Sequence, residues 1–310
     1  MQLHKHQDEF HNLITIVAKE KHIPESAVER DYFIVFALLS LSQSEFAPDC
    51  VFKGGTSLSK CYPGSIERFS EDIDLTFVPE EGMSDKQIER RLKSIEKLMT
   101  ADFETEIIPE ERNDRNKSIF FWYGDHRNKI KLEIGSSVRP EPYSTKILKT
   151  YIQEYLESQG FCDAVAEYAL IPVTVNVLNI ERTFIDKVMS VKRHSISGTI
   201  AEKARHIYDV KRLFNMPEIQ RFLQDKASLK ALVDLTKQTD SIYLKKRNIP
   251  AAFNPLAPYD FGAWKANFHE AKDAYEHLHE DLLYTDEKQI FTEAAEVFEQ
   301  ISVLMAEIEE

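Results

Sequence analysis

Cysteine is scarce in this chain, with only Cys50, Cys61 and Cys162 among 310 residues. Their number is odd and their spacings match no zinc or redox motif, which excludes a disulfide scaffold and a cysteine zinc site and leaves free thiols in a reducing cytosol as the expectation. Long apolar runs are missing as well. The most apolar early stretch, residues 33–39, is far shorter than the roughly 20 residues a bilayer span requires, so it reads as a buried helix and no membrane association is expected. The first residues lack the basic start, apolar core and small-residue cleavage site of an export signal, and a cytoplasmic protein is expected. Positive charge is in deficit: Lys and Arg number 39 against 52 Asp and Glu, for a net charge of -13. That balance argues against indiscriminate binding to nucleic acid but leaves room for a local basic patch.

Several chemical motifs are absent too. No Gly-x-x-x-x-Gly-Lys-Ser/Thr phosphate loop occurs, and no Gly-x-Gly-x-x-Gly follows a strand. No His-x-x-x-His pair exists; His277 and His279 stand two apart on a helix and face different ways, so no histidine is assigned to metal. No internal repeat or low-complexity tract is present.

What is there centres on Val51-Phe52-Lys53-Gly54-Gly55-Thr56-Ser57-Leu58-Ser59-Lys60, followed by Arg68-Phe69-Ser70-Glu71-Asp72-Ile73-Asp74-Leu75. A short strand delivers the chain to two glycines and a helix start, where backbone N–H groups can meet an anion and the hydroxyls of Thr56 and Ser57 can join them. Residues 69–77 alternate, with Ile73 and Leu75 on one side and Asp72 and Asp74 on the other. Residues 118–123 and 129–134 flank a turn-rich loop and form a hairpin. In its second strand Ile130, Leu132 and Ile134 alternate with Lys131 and Glu133, so Glu133 can share the open face of the sheet with Asp72 and Asp74. Three carboxylates on a rigid strand support suit Mg2+ or Mn2+, and two such cations are what nucleotidyl transfer from a nucleoside triphosphate requires.

Elsewhere the pattern predicts helices over residues 8–20, from Pro24 to about residue 40, over 84–100 and over 147–158, with an edge strand over 171–177. Beyond residue 180 everything reads as helix except 248–260. The final helix, about 287–309, carries an apolar stripe from Ile290 to Ile308, expected to pack against the helical part of the chain. Two domains are expected, 1–180 and 181–310.

The two central runs resemble the nucleotidyltransferase toxins of the AbiEii/AbiGii type, within the DNA polymerase β-like superfamily. The resemblance extends to Glu29-Arg30-Asp31-Tyr32, to Ile180-Glu181-Arg182-Thr183-Phe184-Ile185-Asp186-Lys187 and to Ala204-Arg205-His206-Ile207-Tyr208-Asp209-Val210. It implies an α+β protein: a polymerase β-like domain, a mixed sheet with helices on one face, followed by a helical domain, with a cleft between them. It also implies that Asp72 and Asp74 are metal ligands, that Lys187 contacts the triphosphate, and that Asp209 completes the catalytic set. Nucleotide binding then falls to Lys53, Gly54, Gly55, Thr56, Ser57 and Lys60, with Arg193 and Arg205 as supporting cations. The implied activity transfers a nucleoside monophosphate to an RNA acceptor, the tRNA 3′ end foremost, under the control of a cognate antitoxin. Lys187, Lys192, Arg193, His194, Arg205, Lys211, Arg212 and the run Lys245-Lys246-Arg247 are candidates for a basic surface facing the RNA. Two alternatives stand beside this reading: phosphorylation or nucleotidylation of a protein hydroxyl, and a nucleotide- or partner-binding module without turnover.

Overall fold

The computed structural model describes residues 1–124, 128–244, 253–284 and 287–309. The chain divides into two units, Met1–Cys61 with Phe69–Leu178, and Tyr62–Arg68 with Asn179–Glu310.

The first unit opens with α1 (Gln7–Lys21) and α2 (Glu25–Ser42), then β1 (Cys50–Lys53), α3 (Gly54–Cys61), β2 (Asp72–Phe77), α4 (Asp85–Met99), β3 (Glu104–Ile107), β4 (Asn116–Tyr123), β5 (Asn128–Gly135), β6 (Tyr143–Leu148), α5 (Tyr151–Ser158), α6 (Cys162–Glu167) and β7 (Val173–Leu178). Local chemistry sets the boundaries. His22 takes the left-handed conformation that ends α1, and extended Pro24 starts α2. Ser84 and Gln87 form a reciprocal capping box at the head of α4.

The seven strands order as β3-β4-β5-β2-β1-β7-β6. The pairs β1–β7 and β2–β5 are parallel and the others antiparallel, so the sheet is mixed. Its two faces differ as the alternation predicts. Ile73, Leu75, Phe121, Ile130, Leu132 and Ile134 are buried, whereas Asp72, Asp74, Lys131 and Glu133 are half-buried. On the covered face Phe33 of α2 meets Tyr123 with ring centroids 5.0 Å apart, and α2 packs on α4.

The hairpin pairs Asn116 with Gly135 through to Tyr123 with Asn128, and its loop residues 125–127 lie outside the described residues. Two expectations are corrected. Residues 147–148 close a strand instead of opening a helix: Thr145 and Ile147 are β-branched, β6 pairs along the whole of β7, and the helix waits for the Thr150 side chain, which accepts from the Gln153 N–H. The strand expected at an edge, β7, therefore lies between β1 and β6, and β6 takes the edge. Strand β3, exposed at all four positions, has no alternation to reveal it.

The second unit is helical: α7 (Ile180–Ile196), α8 (Ala204–Phe214), α9 (Pro217–Gln224), α10 (Lys226–Leu244), α11 (Phe261–Phe268), α12 (Lys272–Glu276), α13 (Leu278–Asp281) and α14 (Phe291–Glu309). Phe291, Phe298, Ile301 and Met305 of α14 are buried, and Phe298 lies 5.0 Å from Phe268 and 5.9 Å from Phe261, centroid to centroid. Each such side chain contributes about 1.5–3 kcal/mol by leaving water, so the apolar stripe packs within this unit as expected, except Ile290, which precedes α14 and is exposed. Among the described residues no helix is long and apolar enough to cross a membrane.

Candidate functional site

Strand β1 ends at Lys53, and the chain turns at Gly54 with φ +83 straight into α3. Only glycine fits there, for two reasons. The left-handed backbone disfavours a side chain, and a Cβ at Gly54 would lie 2.1 Å from Oδ2 of Asp74. The turn is thus pressed directly against the acid strand. Register agrees, since Lys53 is the antiparallel partner of Asp74.

The hydroxyls expected to hold phosphate are used otherwise. Thr56 is buried and its hydroxyl donates to the Asp72 carbonyl at 2.5 Å, with the Ser70 hydroxyl 2.9 Å away. Ser57 is buried and donates to the Gly54 carbonyl at 3.0 Å. Thr56 ties the first turn of α3 to the acid strand, and Ser57 closes the turn on itself. The backbone N–H groups of the first turn of α3 are ones an α-helix does not use internally, a group that can meet an anion. Lys60 also departs from expectation. Its ammonium is 2.6 Å from Oδ1 of buried Asp31 in α2 and 4.0 Å from the centroid of the Tyr151 ring. A buried aspartate demands a counter-charge, so Lys60 anchors α3 instead of facing a nucleotide.

Asp72 and Asp74 stand half-buried on one face of β2. Across the parallel pairing Asp72 is the partner of Lys131 and Asp74 the partner of Glu133. Glu133 is therefore beside the acid pair, as the alternation implied. Its carboxylate, however, is 3.4 Å from the Lys131 ammonium, which is also 2.5 Å from Glu111. Burial works to lower the Lys131 pKa, but Glu111, Glu133 and Asp72 outweigh it and raise it. Among the described residues no group of three or more His, Cys, Asp or Glu side chains is arranged to hold a metal ion, so the expected trio does not assemble. The pair alone fits a hard divalent cation by its chemistry: two carboxylates share one strand face, and Oδ2 of Asp74 lies in the space that a Cβ on residue 54 would take.

In the second unit Asp209 of α8 is wholly buried. It accepts from Arg68 Nε at 2.6 Å and Nη2 at 2.7 Å, and from Lys187 Nζ at 2.8 Å. Burial favours its neutral form, yet Arg68 and Lys187 prevail and hold its pKa well below the usual carboxylate range. Asp209 therefore touches no solvent, and its oxygens are committed to Arg68 and Lys187. One turn away on the same two helices, the His206 ring lies 3.2 Å from the Ser190 hydroxyl. Burial and Lys187 keep that imidazole neutral, well below its ordinary pKa.

The basic residues expected to face RNA are largely occupied. Lys192 is buried, donates to the carbonyls of Ala257 and Pro258 at 3.1 and 2.9 Å, and has its pKa lowered by burial to about 8. Lys211 pairs with Glu293 at 2.6 Å and Arg212 with Glu67 at 3.1 Å. The His194 ring is 2.8 Å from the Thr199 hydroxyl, and burial draws its pKa down to about 4. Arg193 is 3.5 Å from Asp240, Arg205 is exposed, and Lys245-Lys246-Arg247 lie outside the described residues.

Sequence reasoning overlooked two residues. Lys131 could have been found, since the same alternation that exposes Glu133 exposes it. Arg68 carries no such signal, because its partner lies 141 positions away.

The nucleotidyl transferase AbiEii toxin family, described as a Type IV toxin–antitoxin system, matches residues 37–300 of the chain. No curated protein matches. Among solved structures, MenT4, a nucleotidyltransferase toxin from Mycobacterium tuberculosis H37Rv, is 16% identical, with 95% of this chain and 98% of that one covered and a TM-score of 0.46. JHP933 from Helicobacter pylori is also 16% identical, with 83% and 95% covered and a TM-score of 0.41. With a family match across most of its length, joined to a glycine turn set against an aspartate pair, the chain belongs to the AbiEii nucleotidyltransferase toxins.

Proposed function

We propose that this nucleotidyltransferase takes a nucleoside triphosphate and joins its nucleoside monophosphate to a hydroxyl of an RNA acceptor, the tRNA 3′ end, and that a cognate antitoxin restrains it. The acceptor oxygen forms a bond to the α-phosphorus, the bond from that phosphorus to the bridging oxygen of the β-phosphate breaks, and pyrophosphate leaves while the hydroxyl proton passes to solvent. The observation that carries this reading is the contact at Gly54: the phosphate turn and the acid pair are one structure, since a single added carbon would collide with Asp74.

Asp72 and Asp74 are the residues that would hold Mg2+ or Mn2+. Such a cation, when bound, lowers the pKa of the attacking hydroxyl and offsets charge on the leaving pyrophosphate. The first-turn N–H groups of α3 bind phosphate oxygens. Lys187, its ammonium fixed by Asp209, supplies a point charge to the triphosphate.

The engagement of Lys192, Lys211 and Arg212 within the chain favours one second reading, transfer to a protein hydroxyl, which needs no basic surface. Incubation with total RNA or a cell protein extract, divalent metal and triphosphate labelled at the α- or γ-position separates the two. α-Label on tRNA is the expected result. α-Label or γ-label on protein alone overturns the RNA assignment.

A further inference from the structure

Besides Lys53, the register partner of Asp74, the acid face carries a second cation that the reaction scheme above does not use. Lys131 lies two positions before Glu133 on β5, on the same face, and is the register partner of Asp72. Its ammonium reaches Glu111 at 2.5 Å and Glu133 at 3.4 Å. Glu133, the register partner of Asp74, stands close enough on the neighbouring strand, about 4.8 Å away by backbone spacing, to serve as a third ligand. What withholds it is the ammonium already beside it.

We infer that Lys131 sets how this face takes a divalent cation: by engaging Glu133 and Glu111 it confines the metal to Asp72 and Asp74. The inference rests on the reading that these two aspartates are the ligands. Lys131 is then a positioning residue with two effects. It keeps Glu133 from completing a three-carboxylate site, and it places a positive charge beside Asp72, weakening the pull of that face on any second cation. Without Lys131 only Lys53, the register partner of Asp74, would bring an ammonium to the face that Asp72, Asp74, Glu111 and Glu133 share, and a divalent ion would bind more tightly and recruit Glu133.

The test is Mn2+ binding without nucleotide, followed by the electron paramagnetic resonance signal of the free ion. Glu133→Gln should bind Mn2+ within about twofold of the wild type, because Glu133 is not a ligand while Lys131 holds it. Lys131→Met should bind on the order of tenfold tighter, and adding Glu133→Gln to it should remove the gain. A generally damaged protein would bind more weakly, so the direction separates this role from a structural one. Lys131→Arg keeps the charge and should retain wild-type affinity, and Lys131→Gln replaces Lys131→Met should the latter fail to melt cooperatively. Unchanged or weaker binding in the uncharged variant, or a loss in Glu133→Gln alone as large as in Asp74→Asn, overturns the inference. If Asp72→Asn and Asp74→Asn both leave Mn2+ binding intact, it is the underlying ligand reading that fails.

Discussion

The acid strand of the first unit and the Asp209 node of the second both depend on aspartate, and they use it in opposite ways. Asp72 and Asp74 are half-buried on an open sheet face beside a turn with no side chain. Asp209 has no exposure, and two cations take up its oxygens. A half-buried carboxylate on an open face keeps solvent access and can meet a ligand. A buried one with two partners is committed, since breaking such a pair leaves uncompensated charge in the interior. Resemblance assigns all three to one reaction; burial separates the two acids on an open face from the one that holds a lysine in place.

The sharpest way to break this comparison is Asp72→Ala. Loss of a metal ligand removes several kcal/mol of transition-state stabilisation, a fall in transfer on the order of a thousandfold or more, while thermal melting should barely move. Asp209→Ala should show the reverse priority: a stability loss of about 3–5 kcal/mol from the stranded Arg68 and Lys187, read by denaturant unfolding, with lowered transfer following from the released Lys187. Gly54→Ala tests the contact between turn and acids. It should cost about 1–2 kcal/mol for the left-handed backbone and reduce transfer on the order of a hundredfold as Asp74 is displaced, the second measured by initial rate.

The smallest effect is on pH dependence. His194 and His206 have folded pKa values below the unfolded value of about 6.5. The unfolded chain therefore binds protons more readily, and stability should fall as pH drops below about 6.5 and, for His194, continue falling to about 4. Asp209 is depressed instead; its contribution is complete above its unfolded value of about 3.9 and is lost only on further acidification. Melting temperatures between pH 7 and 4.5 should decline less steeply in His194→Asn than in the wild type, and an identical slope would exclude this histidine as the cause.

Features legible in the sequence were those with a local period or a local turn. The strand and glycines of residues 51–55, the alternation through Asp72 and Asp74, the hairpin and the stripe on α14 each announce themselves within about ten residues, and the AbiEii resemblance rested on such runs. Long-range partnership was not legible. Nothing near Lys60 indicates that Asp31 will draw it inward, and nothing near Arg68 points to Asp209. Thr56 and Ser57 illustrate the same limit at short range: their types suit a phosphate, but burial assigned their hydroxyls to backbone carbonyls. The end of β6, residues 147–148, reads as helix because its pairing with β7 is long-range, from Tyr143 with Leu178 to Leu148 with Val173.

The central claim is that the open acids perform transfer and the buried acid maintains the fold that serves it. It is tested most directly by measuring incorporation of α-labelled nucleotide and thermal melting together on Asp72→Ala and Asp209→Ala. The account predicts an Asp72→Ala protein that melts like the wild type and transfers nothing, beside an Asp209→Ala protein that melts many degrees lower. Wild-type transfer by Asp72→Ala, or equal loss of melting temperature in the two variants, would contradict it.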